Sequence, residues 1–242
     1  MQLIFGSGAH WVVGPATTPT PVRMGVAQNM SIDFSQATKP LYGINRIPVT
    51  VGAGEMTIQG KTTLAQITGR LYSDIVFGVS LAPGQILTSR DEVQAVPATS
   101  PYDIVVTNSA GWTRDLGVKY ASGPNAGVPL VRVATSPTTG QYTVASGVYV
   151  FSVGDEGVSM KVSYNYTATG GDTVTISNQP MGQAQTFVSV MQLQYAGEQA
   201  TVTMNQCVAT KSSFGTNLSD FAKPDFEFEC YADASENLGT MS

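Results

Sequence analysis

Near the C-terminal end of the chain, from Asp225 to Asp233, Phe226, Phe228 and Cys230 alternate with Glu227, Glu229 and Tyr231. A period of two belongs to a β-strand, whose successive side chains point to opposite faces of a sheet. The segment is therefore committed to one face in a core and one face carrying carboxylates. The charge distribution sharpens this constraint. Residues 215–242 hold six acids and one base, a net of −5, whereas residues 1–214 hold eleven of each, a net of zero. The formal charge of the molecule sits on and around one half-buried strand.

At 242 residues the chain suffices for one large β domain or two smaller ones, each with a real core. Only 12% of residues are charged, roughly half the usual share. Gly, Thr, Ser, Val and Ala fill the difference and favour strands and turns over long helices. Two readings follow for a surface so poor in charge. Either copies of the chain cover much of it, or small Thr and Ser keep it wet in a monomer.

Cys207 and Cys230 are the only cysteines. The first residues, Met1-Gln-Leu-Ile-Phe-Gly, lack a basic n-region and a long apolar run, so no signal peptide is expected. No stretch approaches the ~20 apolar residues of a membrane span. In a cytosolic product the two thiols are expected to be reduced and buried, with a bridge open to them if their strands are neighbours.

Along the chain, residues 1–23 run through Gly and Pro and predict an extended N-terminal arm. Strand-like segments follow at Val26–Phe34, Gly43–Val51 and Glu55–Gly60, the last two joined by Gly52-Ala-Gly54 as a tight hairpin. Leu64, Ile67, Leu71 and Ile75 then recur at helical spacing. This predicts one α-helix over about 62–77, with Thr62 or Thr63 as its N-cap, Lys61 and Arg70 among its polar positions, and Gly78 as its stop. From about Pro83 to Val174 short strands recur every 8–12 residues between turns, the texture of a compact β-sandwich. The strand–hairpin–helix texture does not return there, so residues 83–174 are expected to be an inserted Ig-like β-sandwich. Residues 24–82 and 175–242, the latter with a hairpin of Phe187–Tyr195 and Ala200–Val208 turning at Ala196-Gly-Glu198, would then form one discontinuous domain. The fold class is mainly β.

Little in the sequence points to catalysis. His10 is the only histidine and lies in the predicted arm, so no two-His metal site exists. There is no GxSxG elbow, Walker loop, GxGxxG opening onto a helix, or CxxC pair. Asp91-Glu92 and Asp155-Glu156 read as solvated turn acids, with too few neighbouring oxygens for a calcium loop. Glu227 and Glu229 are two carboxylates on one strand face, but glycosidase pairs usually come from different strands and sit beside aromatics. The scattered bases and acidic balance argue against a nucleic-acid grip. We expect no enzyme, no metal and no cofactor.

Several strings, taken in order, carry a resemblance: Lys39-Pro-Leu-Tyr-Gly, the segments Pro48–Gly60 and Lys61–Phe77, Met181-Gly-Gln-Ala-Gln-Thr-Phe, Asn205-Gln-Cys-Val-Ala-Thr-Lys, and Asp220 through Asp233. Over roughly 24–80 and 175–235 the chain resembles the tail tube proteins of long-tailed bacteriophages. The insert, with Asp115-Leu-Gly-Val, Gly140-Gln-Tyr and Gly147-Val-Tyr-Val-Phe, resembles an extra β domain of some phage tail proteins. The resemblance implies a β-sandwich or split barrel flanked by one helix, assembling as hexameric rings that stack into a hollow tube. It further implies that strands of neighbouring subunits join edge to edge and that a loop and an arm reach the next ring. The arm 1–23 and the Gly52–Gly54 tip are the segments expected to order on stacking.

The partners implied are other copies of the chain, with tail terminator, tape measure and baseplate or tip proteins. DNA passes through without specific binding, and no membrane is involved. The implied location is the virion tail, assembled in the host cytoplasm. Glu227 and Glu229 would face the lumen, where carboxylates repel the duplex and let it slide. The competing orientation turns them to the helix layer or to a neighbour's bases. A different function class also stands: a tail or capsid decoration protein binding host-surface glycan or protein through the inserted domain.

Overall fold

The computed structural model describes residues 8–15, 19–66, 69–182, 184–195, 197–216 and 218–242. The fold is mainly β, and its chain divides into two units, residues 1–81 with 174–242 and residues 82–173. In chain order the first unit contributes β1 (Ala9–Val13), β2 (Val22–Arg23), β3 (Ala27–Tyr42), β4 (Pro48–Leu64) and a short helix α1 (Leu71–Phe77). The second contributes β5 (Leu81–Ala95), β6 (Asp103–Val105), β7 (Trp112–Tyr120), β8 (Val131–Arg132), β9 (Gln141–Ala145), β10 (Val148–Phe151) and β11 (Ser159–Val174). The chain then returns to the first unit for β12 (Thr186–Tyr195), β13 (Glu198–Ser213), β14 (Asp225–Cys230) and β15 (Gly239–Met241).

In the first unit the strands form one sheet in the order β2-β1-β12-β13-β14-β4-β3, with β15 also paired to β13. This sheet curls on itself. His10 on β1 and Thr62 on β4 are four strands apart in the hydrogen-bonded order, yet His10 Nδ1 and Thr62 Oγ1 lie 2.9 Å apart. The concave side encloses Phe187, Phe226 and Phe228, whose ring centroids are 5.7–5.8 Å apart. Val12, Ile58, Leu64, Met191 and Cys207 pack around them, and Leu71 and Ile75 join from α1.

In the first unit three expectations are corrected. The helix does not begin near residue 62: residues 60–64 complete β4, and the helix bears the i→i+5 winding of a π-helix over Leu71–Phe77. Gly60 lies directly opposite Phe228, where a Cβ would fall inside the aromatic ring, so this glycine marks a close approach between strands inside β4. Thr62 and Thr63 are strand residues rather than caps, and Ile67 lies outside the described residues. The stop is as expected, with Gly78 in the left-handed region at φ 61°.

The hairpin turn is also displaced. Gly52, Ala53 and Gly54 lie inside β4, paired with β3 through Thr38↔Ala53 and Lys39↔Gly52, and the chain reverses instead over residues 43–47. Gly54 sits beside a register shift in β3, where its missing Cβ spares a 2.9 Å approach to the Ala37 carbonyl oxygen.

Finally, the described part of the arm is not free. β1 pairs with β12 from Ala9↔Gln192 to Val13↔Val188, and His10 and Val12 are fully buried. The alternation His10/Val12 is a strand's core face, disguised in sequence by the Gly and Pro around it. The expected turn at Ala196-Gly-Glu198 includes residue 196, outside the described residues; β12 and β13 pair up to Tyr195↔Glu198.

In the second unit, β5-β11-β7 and β6-β10-β9-β8 form two sheets, with β8 parallel to β9. Both contribute to one core. Val118, Met160, Val162 and Tyr164 come from the first sheet, and Ile104, Tyr142, Tyr149 and Phe151 from the second. The phenols of Tyr142 and Tyr149 donate across the core to Asp115 on β7, at 2.8 and 3.0 Å. Each buried hydroxyl thereby has a partner. Burial first, and the Asp115 charge with it, push both phenols well above their ordinary range.

β5 was not anticipated as a strand. The paired acids there are not solvated turn residues either. Asp91 forms an ion pair with Lys119 at 2.9 Å, and Glu92 accepts from the Tyr164 hydroxyl at 2.6 Å and from Thr107. Asp155 is buried and accepts from the Tyr120 hydroxyl and the Gly140 backbone N–H.

Candidate functional site

β14 lies between β13 and β4, so its two faces are defined by neighbours on both sides. Phe226, Phe228 and Cys230 are buried, while Asp225, Glu227 and Glu229 are half-buried on the opposite face. Register then assembles a polar surface across four strands. Residues directly opposite in antiparallel strands share a face. One row therefore contains Asn29, Thr63, Asp225 and Ser213, the next Ser31, Lys61, Glu227 and Lys211, and the third Asp33, Gln59, Glu229 and Val208.

Sequence separation hides most of this surface. Lys61 Nζ stands 3.0 Å from Asp225 Oδ2 and 3.1 Å from Glu227 Oε1, and Lys211 Nζ approaches Glu227 at 3.7 Å. Thr63 Oγ1 donates to Asp225 at 2.6 Å. The Thr63 hydroxyl and then the Lys61 ammonium hold the Asp225 carboxyl below its ordinary range, and the same carboxylates raise the Lys61 ammonium above its own. Of the three acids on β14, Glu229 alone makes no ion pair among the described residues.

The acidic strand is thus only partly an acidic face. Four acids (Asp33, Asp225, Glu227, Glu229) share it with two bases (Lys61, Lys211), a net of −2 from these six positions. Other acids of the terminal segment are spent elsewhere. Asp220 pairs with Lys223 at 2.8 Å, and Asp233 caps a turn by accepting from the Ser235 and Asn237 backbone N–H groups. Glu227 and Glu229 do lie together on one outward face, as their spacing predicted. The two lysines that hold Glu227 were missed, because a strand's neighbours are set by register and not by proximity in the chain.

A second feature is the distal part of the β3–β4 hairpin. β3 and β4 pair from Ala27↔Leu64 to Tyr42↔Pro48, but burial ends near Ile58. Beyond it, about 8 residues per strand extend with both faces in solvent, roughly 25 Å at the rise of a β-strand. Leu41, Tyr42, Ile44, Ile47, Val49 and Val51 are all exposed there. A two-stranded ribbon has no core of its own, and such apolar side chains in water are a liability unless something covers them. Among the described residues β3 also ends the hydrogen-bonded order of the sheet, with no strand paired to its outer edge.

At the mouth of the curled sheet, Met30, Ile32 and Phe34 of β3 face Met191, Leu193 and Val202 across an apolar recess of about 350 Å³. Among the described residues no cluster of three or more His, Cys, Asp or Glu side chains is placed to hold a metal ion. No helix there is long and apolar enough to cross a membrane, which leaves spanning by strands untouched. Compared with family models and with curated proteins, the sequence matches none.

Proposed function

We propose that the chain is a structural subunit of a phage tail tube, polymerising as stacked rings around a conduit for DNA. The observation that carries this reading is the projecting β3–β4 hairpin with its uncovered apolar side chains. Head-to-tail contact between a projecting element and another surface of the same molecule generates rings and filaments rather than closed dimers. The open edge of β3 and the apolar recess beside it supply surfaces of the chemistry such contacts need. The resemblance of residues 24–80 and 175–235 to tail tube proteins points the same way.

The test is imaging of the purified chain with a hairpin variant beside it. The wild type is expected to form rings or hollow tubes in negative stain. The double substitution Ile44→Asp and Ile47→Asp touches only exposed positions, so the change in monomer stability should stay within about 0.5 kcal/mol. That variant should remain folded by circular dichroism and form no tubes. A wild-type chain that stays monomeric at all concentrations would sink the proposal, as would a variant that polymerises normally.

The polar face of β3, β4, β14 and β13 is the surface we assign to the lumen, with Glu227 and Glu229 toward the DNA. The face has a modest negative excess, and its two lysines are held by Asp225 and Glu227, so phosphates find little to grip. Glu227→Gln with Glu229→Gln should leave fold and tubes intact while changing the kinetics of DNA ejection from assembled particles. Loss of folding or polymerisation, or unaltered ejection, would put these residues elsewhere.

A further inference from the structure

Cys207 on β13 and Cys230 on β14 face each other directly in the register of the two strands. The adjacent pair is marked by the Tyr231 N–H donating to the Gln206 carbonyl at 3.0 Å. Hydrogen-bonded and non-hydrogen-bonded pairs alternate along an antiparallel ladder, so Cys207 and Cys230 occupy a non-hydrogen-bonded pair. There the Cα atoms approach to roughly 4.5 Å and the side chains are closest. That separation falls within the roughly 4.4–6.8 Å that a disulfide spans. The two Sγ atoms are 3.2 Å apart, both residues are free thiols, and both are buried.

We propose that Cys207 and Cys230 are an oxidisable cross-strand dithiol, a modification site at which a small peroxide converts the pair to an intramolecular disulfide. Two buried cysteines placed at random would serve only as small hydrophobes. These two are already partners and need no backbone movement to be joined.

Their roles differ. Cys207 is sealed in the core, whereas Cys230 ends its strand and retains 6% of its surface in solvent. The two sulfurs share a hydrogen bond. That hydrogen bond lowers the Cys230 thiol below its ordinary range and, with burial, raises Cys207 above its own. Cys230 is therefore the attacking thiolate.

Its sulfur displaces hydroxide from the peroxide oxygen, the O–O bond breaks, and the hydroxide takes the Cys230 proton to leave as water. The Cys207 sulfur then attacks the resulting sulfenic acid. The S–S bond forms, the S–O bond breaks, and a second water leaves with the Cys207 proton. The dithiol loses two electrons and two protons, and one hydrogen peroxide becomes two waters. The bond closes residues 208–229 into a loop and ties β14 to β13.

The experiment uses the full chain, treated with hydrogen peroxide in native buffer and then alkylated under denaturing conditions. The expected product is a monomer that has lost two hydrogens by intact mass, takes up no alkylating reagent, and yields a 207–230 linked peptide on digestion. Its melting temperature should rise on the order of 5 °C and return on reduction. Cys207→Ala should instead accumulate a sulfenic acid at Cys230, trapped with dimedone, because the resolving thiol is gone. Two alkylatable thiols after oxidation would overturn the proposal, and so would disulfide formation only in denaturant or a disulfide only between chains. None of these readouts requires tubes to form, so they stand or fall apart from the proposed function.

Discussion

Gly60→Ala is expected to destabilise the first unit by about 2–3 kcal/mol, the upper range for forcing volume into a packed core. The added methyl points into the ring of Phe228, which is held by Phe187, Phe226 and His10 with centroids 5.7–5.8 Å away. A ring packed on every side cannot tilt aside cheaply, and Gly60 lies on the strand opposite, where its backbone is fixed by pairing with β14. In most strands Ala would be the better residue, so the direction of the effect is diagnostic. Chemical denaturation of a double-mutant cycle checks the cause. Gly60→Ala combined with Phe228→Leu should cost less than the sum of the two by 1 kcal/mol or more, on the scale of contacting residues. Additive costs would mean that the methyl and the ring do not meet.

The second large effect is a pH dependence centred on His10. The imidazole is fully buried between the Ser189 hydroxyl at 2.8 Å and the Thr62 hydroxyl at 2.9 Å. Desolvation lowers its pKa from 6.5 to about 4. The unfolded chain therefore binds this proton at a higher pH than the folded one. Stability from the neutral imidazole is complete above about pH 6.5, is lost as pH falls toward 4, and changes no further below that. The span corresponds to about 3 kcal/mol.

The carboxylates held low by their partners act in a different window. Asp91, Asp220, Asp225 and Asp233 lie below 3.8. Burial raises Glu92, but hydrogen bonds from Tyr164 and Thr107 bring it net below 4.5. Denaturation midpoints measured from pH 7 to pH 4.5 should thus report mainly His10. His10→Gln keeps groups able to bond both hydroxyls and should flatten that slope. A slope unchanged in the variant would remove His10 as its source.

Both predictions concern residues whose roles were hidden in the chain. His10 reads as a bystander among Gly and Pro, and Gly60 as the last residue of a strand before a helix. Leu64, Ile67, Leu71 and Ile75 do carry a helical period, yet Leu64 belongs to β4, because Gly60 must lie under Phe228 and Thr62 beneath His10. These demands come from β14 and β1, which local periodicity does not contain. The hairpin shows the same conflict. Gly52 and Gly54 have the chemistry of a turn, but the pairing of β3 with β4 continues past them, and a ladder of strand contacts outweighs one local preference.

Where side-chain period alone decides the outcome, the sequence sufficed. The mainly β character and the two faces of β14 were legible, since an alternating strand has only one way to bury Phe226 and Phe228. What tertiary structure alone decided was the company those faces keep. Lys61 reaches Glu227 across 166 residues of chain, and Cys207 meets Cys230 across 23. Register between strands is a non-local choice made by the whole core. It set two lysines among four carboxylates on one polar surface, and made two separate cysteines a pair.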